Sequence, residues 1–306
     1  MAGDYSHIPV LLHEVLTALA PKAGDIFLDG TLGRAGHSIA ISRHLGATGR
    51  IIGVDRDPQA LRESEVLLRE VDTPFSLIHS SFSGCFSRLP DTLRFDAALL
   101  DLGVSSPQLD NPDRGFSFMR DGPLDMRMDP TQGQSAADVI ARLPEQELAD
   151  VIFRYGEERF SRQIAKRIVE TRRNAPITTT SMLADVVRSV IRGYSPIDKA
   201  TRTFQALRIY VNDEVGELER FLDRIGAYMK PGARLAIISF HSLEDRVVKL
   251  RFREWQDAGI AQVMTRKPIV AGEVSVAENP RARSAKLRLA VFGVTEQACD
   301  AMDEDI

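Results

Sequence analysis

The segment from Asp25 to Asp55 carries the pattern that most constrains the fold of this chain. An apolar run ends at Asp29, a loop with three glycines follows, and after a short helical stretch a second apolar run ends at Asp55. Two strands that each end in an aspartate, joined by a glycine-rich loop and a helix, form a βαβ unit of the nucleotide-binding type. The sequence therefore predicts parallel strands with a cofactor held at the loop.

The glycine spacing narrows the choice of cofactor. Gly30, Gly33 and Gly36 let the backbone approach a ligand closely, and Asp55 is placed to accept hydrogen bonds from both hydroxyls of a ribose. This spacing differs from the G-x-G-x-x-G fingerprint of dinucleotide-binding folds, which argues against NAD. The sequence also lacks the G-x-x-x-x-G-K motif of a phosphate-binding loop, which argues against ATP. S-adenosylmethionine, a ribose-bearing ligand without a pyrophosphate, is the leading candidate. The alternative is a glycine-rich turn in an ordinary α/β protein.

The rest of the chain continues the alternation of strands and helices. Asp57 and Pro58 predict a capped helix start. Further strands are predicted at Phe75–His79, Phe95–Asp101, Arg234–Ser239, Gln262–Met264 and Lys286–Phe292. The last of these alternates charged and apolar residues, as an edge strand does. The predicted fold class is α/β, with a doubly wound, mostly parallel sheet.

About 130 residues separate the fourth strand from the fifth, far more than a crossover needs. No convincing strand appears in this segment, so we predict an inserted helical domain at 110–213 between two parts of the sheet domain, 1–109 and 214–306. Helices are predicted around 160–173, with a basic face, at 182–192 after the cap signal Thr180-Ser181, and as one long helix within 199–229. The loop from Asp110 to Gln134 is irregular, but its aromatic and methionine content predicts order.

Composition bounds the class of protein. The 306 residues are 43% apolar and 27% charged, with no signal peptide and no apolar run that spans a bilayer, so we expect a cytoplasmic protein with no membrane partner. Two cysteines, Cys85 and Cys299, exclude a disulfide framework and a cysteine-rich zinc site. The net charge of the chain is −4, and the tail at 296–305 is acidic. Residues 159–208, in contrast, contain eleven basic and three acidic residues. This local charge of +8 favours binding to nucleic acid.

The segment after the fourth strand carries the candidate chemistry. Ligands of parallel sheets bind beyond the carboxyl ends of the strands, where Asp101 opens the run Asp101-Leu-Gly-Val-Ser-Ser-Pro-Gln108. This run loosely resembles the motif with which amino-methyltransferases hold an exocyclic amine. Acceptors such as the Asp101 carboxylate and the Ser106-Pro107 carbonyls favour a pyramidal nitrogen with its lone pair aimed at the methyl carbon. Phe82 is a candidate to flank an adenine ring. The structural alternatives are a polar turn and a core aromatic residue.

The fifth strand ends in Ile238-Ser-Phe-His-Ser-Leu-Glu-Asp-Arg246. Ser242 with Asp245 fits a helix-capping pattern. His241 lies at the predicted pocket rim, where it either orients the base and relays a proton or is a hydrogen-bonding residue without a catalytic role. The histidines at positions 37, 79 and 241 show no metal-ligand spacing, so no metal site is predicted.

Taken together, these motifs resemble the bacterial 16S ribosomal RNA cytosine-N4 methyltransferases over nearly the whole chain. The strings that carry the resemblance are His7–Glu14, Asp29–His37, Val54–Pro58, Leu100–Asp110, Arg114–Phe118, Gly122–Met128, Tyr155–Glu158, Ile238–Arg246 and Asn279–Ser284.

The resemblance implies a class I methyltransferase that uses S-adenosylmethionine to methylate cytidine 1402 in the decoding region of 16S rRNA, within the small ribosomal subunit. It implies cofactor contacts from Gly33, Ala35, Gly36, His37, Asp55, Phe82, Asp101 and Gln108. Catalytic roles are expected for Asp101, Ser106, Pro107 and His241. Neither cysteine lies in a pocket motif, which favours direct transfer without a covalent intermediate.

One residue departs from the family pattern, because Ala35 stands where glycine is usual. A negative φ would accommodate alanine, whereas a positive φ would cost about 1 kcal/mol or more.

Other functions stay open from sequence alone. A methyltransferase acting on DNA or protein would share the cofactor half, and a binding protein could use S-adenosylmethionine as a signal without chemistry. An NAD-linked dehydrogenase is disfavoured by the glycine spacing. The oligomeric state, monomer or homodimer, is also open.

Overall fold

The structure is a computed structural model that describes residues 9–194, 196–272, 276–277 and 279–293. The first two residues of the His7–Glu14 string, Cys299 and the acidic tail at 296–305 lie outside the described residues.

The chain divides into two compact units. Val104–Glu214 forms one, which we call the helical unit, and the chain on either side of it forms the other, the sheet unit. The predicted insertion, 110–213, falls within the helical unit.

The described residues of the sheet unit form eight strands: β1 Ile26–Asp29, β2 Arg50–Asp55, β3 Phe75–His79, β4 Phe95–Asp101, β5 Met229–Ser239, β6 Ala261–Val263, β7 Ile269–Val270 and β8 Lys286–Phe292. Their order in the sheet is β3-β2-β1-β4-β5-β8-β6, with β7 also paired to β8. The first five strands are mutually parallel, and β8 runs antiparallel to β5. The order 3-2-1-4-5 is that of a doubly wound nucleotide-binding sheet, so the predicted fold class is confirmed.

Eleven α-helices accompany the strands in the described residues. They are α1 Leu12–Leu19, α2 Gly36–Leu45, α3 Pro58–Leu68, α4 Ser106–Asp110, α5 Ala136–Arg142, α6 Glu145–Gly156, α7 Ser161–Asn174, α8 Thr180–Val190, α9 Thr201–Asn212, α10 Glu214–Ile225 and α11 Ser242–Asp257. The predicted start of α3 is confirmed, because Asp57 Oδ1 accepts from Gln59 N–H at 2.9 Å and Pro58 is the first helical residue. None of the described helices is long and apolar enough to cross a membrane.

The prediction that Lys286–Phe292 is an edge strand is wrong. Strand β8 has β5 on one side and β6 and β7 on the other. Its charge alternation has another cause: Arg288 is only 5% exposed, and its Nε donates to Asp245 Oδ1 at 2.7 Å. A buried cation is tolerated in an inner strand because a carboxylate neutralises it there.

Hydrophobic packing covers both faces of the sheet. One cluster gathers Leu28, Ile52 and Leu100 with the apolar faces of α10 and α11, including Phe221 and Phe252. A second cluster gathers residues of α1, α2 and the strands. Burial on both sides explains why the strands read as continuous apolar runs.

The helical unit contains no strand within its described residues, only an isolated bridge between Pro123 and Thr179. Helix α7 buries Ile164 and Ile168 and exposes most of its cations, as the sequence predicts. Helix α8 begins two residues before its predicted start, since the Thr179 hydroxyl, rather than Thr180, accepts from Met182 N–H. Thr180 is buried instead.

The prediction of a single long helix within 199–229 is wrong. Helix α9 ends at Asn212, Asp213 takes a left-handed conformation with φ 48°, and α10 begins at Glu214. Aspartate tolerates this conformation better than most residues. The apolar periodicity continues across the break, so it does not reveal the end of α9.

The irregular loop 110–134 is ordered, as predicted from its composition. Phe116, Leu124, Met126 and Met128 are buried in the core of the helical unit. Asn212 fixes the loop, because its Nδ2 donates to Met126 O at 2.7 Å and its Oδ1 accepts from Met128 N–H at 2.8 Å.

Candidate active site

The candidate site lies at the carboxyl edge of the parallel sheet. Strands β1, β2 and β4 end at Asp29, Asp55 and Asp101, and β5 ends at Ser239. Since parallel strands end at one edge, these carboxyl groups and the residues that follow them line the same rim of the sheet unit.

The glycine loop packs tightly against this rim. A Cβ on Gly30 would lie 2.4 Å from Leu100 Cδ2, and one on Gly36 would lie 2.7 Å from Pro9 Cγ. Gly33 has φ +52°. Side chains are therefore excluded at the first and third glycines by contact and disfavoured at the second by backbone conformation.

Asp55 anchors the loop to β2. Its Oδ2 accepts from Gly33 N–H and its Oδ1 from Asp57 N–H, both at 2.8 Å. Burial raises the pKa of Asp55 above its usual value, and these two hydrogen bonds oppose the shift. A carboxylate has about four acceptor positions, so about two remain for hydroxyl donors once these bonds to described residues are made.

Ala35 has a positive φ, the backbone conformation that costs free energy for an alanine. It lies at φ 59°, ψ 21°, immediately before α2, and its side chain is fully buried. Its carbonyl accepts from Ile39 N–H at 2.8 Å, which commits the residue to the helix start. The chain therefore holds an alanine in a conformation that favours glycine, at a cost of about 1 kcal/mol.

Asp101 has a buried carboxyl oxygen that no described residue hydrogen-bonds. Its Oδ1 is enclosed and makes no hydrogen bond to any described residue, although the side chain as a whole is 26% exposed. The backbone is fixed, because Asp101 N–H donates to Thr31 Oγ1 at 2.6 Å. A buried acceptor without a donor is rare in native structures, because water, a ligand or another group normally satisfies it.

His37 lies beside Asp101 as a neutral ring. Its Nε2 is 3.0 Å from Val10 O, and since a carbonyl only accepts, Nε2 carries the proton. The unprotonated Nδ1 then lies 3.8 Å from Asp101 Oδ2, beyond hydrogen-bond distance. Burial lowers the pKa of His37 to about 4, so the ring supplies no positive charge to Asp101 at neutral pH.

The surroundings of Asp101 favour its protonated form. Burial is the largest cause, and the charges of Asp29 and Glu244 add to it, raising the pKa of Asp101 to about 8. Burial likewise raises the pKa of Asp29 to about 6, against the hydrogen bond that Ser38 Oγ donates to it at 2.6 Å. Among the described residues, no cation lowers the pKa of either carboxyl group.

His241 is the N-cap of α11. Its Nδ1 accepts from Glu244 N–H at 3.4 Å, and its Nε2 lies 3.1 Å from Glu244 Oε1. In return, Glu244 Oε2 accepts from Phe240 N–H at 2.9 Å. The ring thus holds the start of the helix, and its predicted catalytic role stays a prediction.

The predicted capping pair, Ser242 with Asp245, is wrong by one residue. Ser242 is already helical, and Asp245 accepts from Arg288 instead. The pair that caps α11 is His241 with Glu244, at the same spacing of three residues.

Phe82 follows β3 in the sheet unit. Its ring contacts that of Phe221 edge to face, with centroids 5.7 Å apart, and its Cβ lies 3.4 Å from the position of a Cβ on Gly30. It is half-buried, so its ring packs on the core while its Cβ borders the glycine loop.

Ser106, Pro107 and Gln108 belong to the helical unit, in the first turn of α4. Gln108 Oε1 accepts from Ser105 N–H at 3.0 Å in a capping box. Pro107 O accepts from Asn111 N–H at 3.1 Å. The Gln108 side chain and the Pro107 carbonyl, both predicted to contact ligands, thus also stabilise this short helix.

Glu244 and Thr31 are site residues that the sequence reasoning misses. Glu244 is 2% exposed and raises the pKa of Asp101. The spacing of three residues between His241 and Glu244 resembles a capping box and is a usable signal. Thr31 carries no comparable signal, because its hydrogen bond to Asp101 N–H joins residues 70 positions apart.

Comparison with known proteins identifies the family. The profile of the MraW methylase family matches residues 4–292. The chain belongs to this family. Membership confirms the predicted methyltransferase activity and the predicted cofactor, S-adenosylmethionine.

Two relatives share nearly half of their residues with this chain. A relative from Rickettsia bellii (strain RML369-C), named ribosomal RNA small subunit methyltransferase H, is 46% identical over 303 residues, covering 93% of this chain and 98% of the relative. One of the same name from Rhodopseudomonas palustris (strain TIE-1) is 47% identical over 305 residues, covering 94% and 90%.

Solved structures are similar at a lower level. An rRNA methylase from Streptococcus thermophilus has a TM-score of 0.45 and 11% identity, covering 94% of this chain and 98% of its own. A SAM-dependent O-methyltransferase from Thermotoga maritima has a TM-score of 0.42 and 10% identity, covering 93% and 65%. The fold assignment rests on the strand order, not on these similarities.

Proposed function

We propose that this member of the MraW methylase family uses S-adenosylmethionine to methylate small-subunit ribosomal RNA, and that the acceptor is N4 of cytidine 1402 in the decoding region of 16S rRNA. The observation that carries the proposal is the buried Oδ1 of Asp101 at the end of β4, which has no hydrogen-bond partner among the described residues. The names of the 46–47% identical relatives support the substrate, and a cytoplasmic site of action follows from it.

The glycine loop and Asp55 are the groups proposed to hold the donor. Asp55 offers its two remaining acceptor positions to the ribose hydroxyls, and Gly33, Ala35, Gly36 and His37, in the loop after β1 and the first turn of α2, are proposed to contact the donor. Phe82 is proposed to flank the adenine, and Gln108 is a contact carried over from the family. The bound donor supplies an electrophilic methyl group and a positive charge.

Asp101 is proposed to accept the proton that N4 must lose, in the ionised form that the positive charge of the bound donor would favour. A cytosine amine is a weak nucleophile because its lone pair is delocalised, and a hydrogen bond to Asp101 Oδ1 directs that lone pair outward. As the bond from N4 to the methyl carbon forms and the sulfur–carbon bond breaks, one N4 proton passes to Asp101. The carboxyl group ends in its neutral form, which burial and its acidic neighbours favour because they raise its pKa.

Ser106 and Pro107 are proposed as further acceptors on the strength of the sequence motif. The Pro107 carbonyl keeps one lone pair beyond its bond to Asn111 N–H. His241 is proposed to orient the base.

The test uses small ribosomal subunits from cells that lack this protein. Purified protein and methyl-tritiated S-adenosylmethionine are added, and digested RNA is analysed for N4-methylcytidine by mass spectrometry. We expect label in 16S rRNA with wild-type protein and almost none with Asp101→Asn. Asp91→Asn, an exposed aspartate in the same unit, is the matched control and should retain activity.

Other outcomes would replace the proposal. Label in naked DNA or bulk protein but not in subunits would indicate a different substrate. Donor binding by calorimetry without transfer to any substrate would indicate a regulator.

A further inference from the structure

The cations of 159–208 are not equivalent in the structure. Three of the eleven are paired with carboxylates of the helical unit, and two others donate to backbone carbonyls. These five have partners within the protein, so the local +8 overstates the charge offered to a ligand. The pairs are Arg167 with Glu170 at 3.9 Å, Arg188 with Asp198 at 2.8 Å, Arg208 with Glu214 at 2.8 Å, Arg172 with Leu143 O and Arg202 with Glu157 O.

Four cations on or next to α7 differ from them. Arg159, Arg162, Lys166 and Arg173 are exposed, and none is paired with an acidic group in the part of the chain that the structure describes. Arg162, Lys166 and Arg173 are spaced by four and seven residues, which places them within about 40° on one side of the helix. Arg159 precedes the helix, with its guanidinium 4.7 Å from the Phe160 ring centroid. We call these four residues the α7 stripe.

The remaining two cations, Arg192 and Lys199, lie between α8 and α9 and do not belong to this helix. They are therefore not part of the α7 stripe.

The shape of the α7 stripe favours a polyanion that runs along the helix. Arg162 and Arg173 are eleven residues apart, an axial distance of about 16 Å. One strand of duplex DNA presents a phosphate about every 3.4 Å along its axis, and at that spacing about five phosphates span the distance. Each cation of the stripe can therefore meet a phosphate of a single strand.

Burial of the opposite face argues against a membrane. An interfacial helix needs an exposed apolar face beneath its cations. In α7 that face is formed by Ile164, Ala165 and Ile168, which are fully buried in the helical unit. The helix therefore has charge to offer, but no apolar surface to insert.

We propose that the α7 stripe is the surface through which the protein contacts the phosphate backbone of its RNA substrate. This inference rests on the proposed function. It selects four cations from eleven and assigns the paired ones, such as Arg167 and Arg188, no role in phosphate binding.

The test removes three charges of the stripe in Arg162→Gln/Lys166→Gln/Arg173→Gln. The control, Arg69→Gln/Arg167→Gln/Arg253→Gln, removes three exposed arginines that each have an acidic partner three or four residues away. Both variants change the net charge equally. Binding to 16S rRNA and to small subunits is measured by filter retention over a series of KCl concentrations around 0.1 M, and methyl transfer is measured in parallel.

For the stripe variant we expect about a 100-fold loss of affinity near 0.1 M salt, since each phosphate contact contributes about 0.7 to the salt slope. The slope should fall by about 2, KM for subunits should rise, and kcat and donor affinity should be unchanged. The control should resemble wild type.

Equal losses in both variants, or no loss in the stripe variant, would overturn the assignment. Stripe-dependent sedimentation with phosphatidylglycerol vesicles, without an RNA defect, would point to a membrane instead. If wild-type protein transfers no methyl group, the proposed function fails, but filter retention still tests the stripe.

Discussion

Asp101→Asn should gain stability relative to wild type as pH rises towards neutrality, and it should abolish methyl transfer. In the folded protein, burial and the charges of Asp29 and Glu244 raise the pKa of Asp101 to about 8, whereas the ordinary value is 3.8. Between these values the unfolded chain ionises Asp101 and the folded protein does not. The folded state therefore loses stability as pH rises from about 4 to about 8.

The size of the effect follows from linkage. Each pH unit within this window costs about 1.36 kcal/mol, so the wild type should lose about 3 kcal/mol from this group between pH 5 and pH 7. Asparagine has nearly the same shape and does not titrate. The unfolding free energy of the variant relative to wild type should therefore rise by about 3 kcal/mol over the same interval, whatever constant offset the amide introduces.

Urea unfolding followed by tryptophan fluorescence measures this difference. The chain has one tryptophan, and Trp255 is buried in the core of the sheet unit on α11. Unfolding curves of wild type and Asp101→Asn are compared at pH 5, 6 and 7. A stability difference that changes by less than about 1 kcal/mol over this range would refute the reasoning.

Three further predictions concern local structure. Ala35→Gly should change the unfolding free energy by less than about 1 kcal/mol, because relief of the positive φ offsets the lost burial of the methyl group and the added entropy of the unfolded chain. Ala35→Val should instead destabilise the protein by more than about 2 kcal/mol. Urea unfolding measures both effects. Asn212→Ala should destabilise the helical unit by about 2–4 kcal/mol, since two backbone groups of loop 110–134 lose their buried partner, and limited proteolysis of that loop should accelerate. His241→Asn should keep the α11 cap, whereas His241→Ala should cost about 1 kcal/mol; a folded His241→Asn that loses methyl transfer would support catalysis by the imidazole.

Local signals in the sequence are sufficient for the sheet and for the glycine loop. Apolar runs ending at Asp29, Asp55 and Asp101 mark three strand ends, because a buried parallel strand needs no alternation. The position of β8 inside the sheet is not predicted, because an arginine such as Arg288 usually indicates a solvent-facing position. Its partner, Asp245, is 43 positions away, and no local pattern reveals such a pair.

The break at Asp213 and the conformation of Ala35 are hidden for a related reason. Helical periodicity reports which residues face a core, and it continues from α9 into α10 because both helices bury apolar residues. The sign of φ at Ala35 depends on how the loop joins β1 to α2. The sequence shows only that an alanine stands where glycine is usual.

The charge of the rim explains what kind of ligand it can accept. Asp29, Asp55 and Asp101 all have raised pKa values, because burial removes water, and the one described cation that contributes, Arg56 beside Asp55, offsets burial only in part. A pyrophosphate would add negative charge beside these carboxyl groups and would be repelled. A cationic ligand would instead favour their ionised forms and lower the pKa of Asp101. The electrostatics of the structure and the glycine spacing of the sequence, which are independent observations, therefore both favour a sulfonium donor over a dinucleotide.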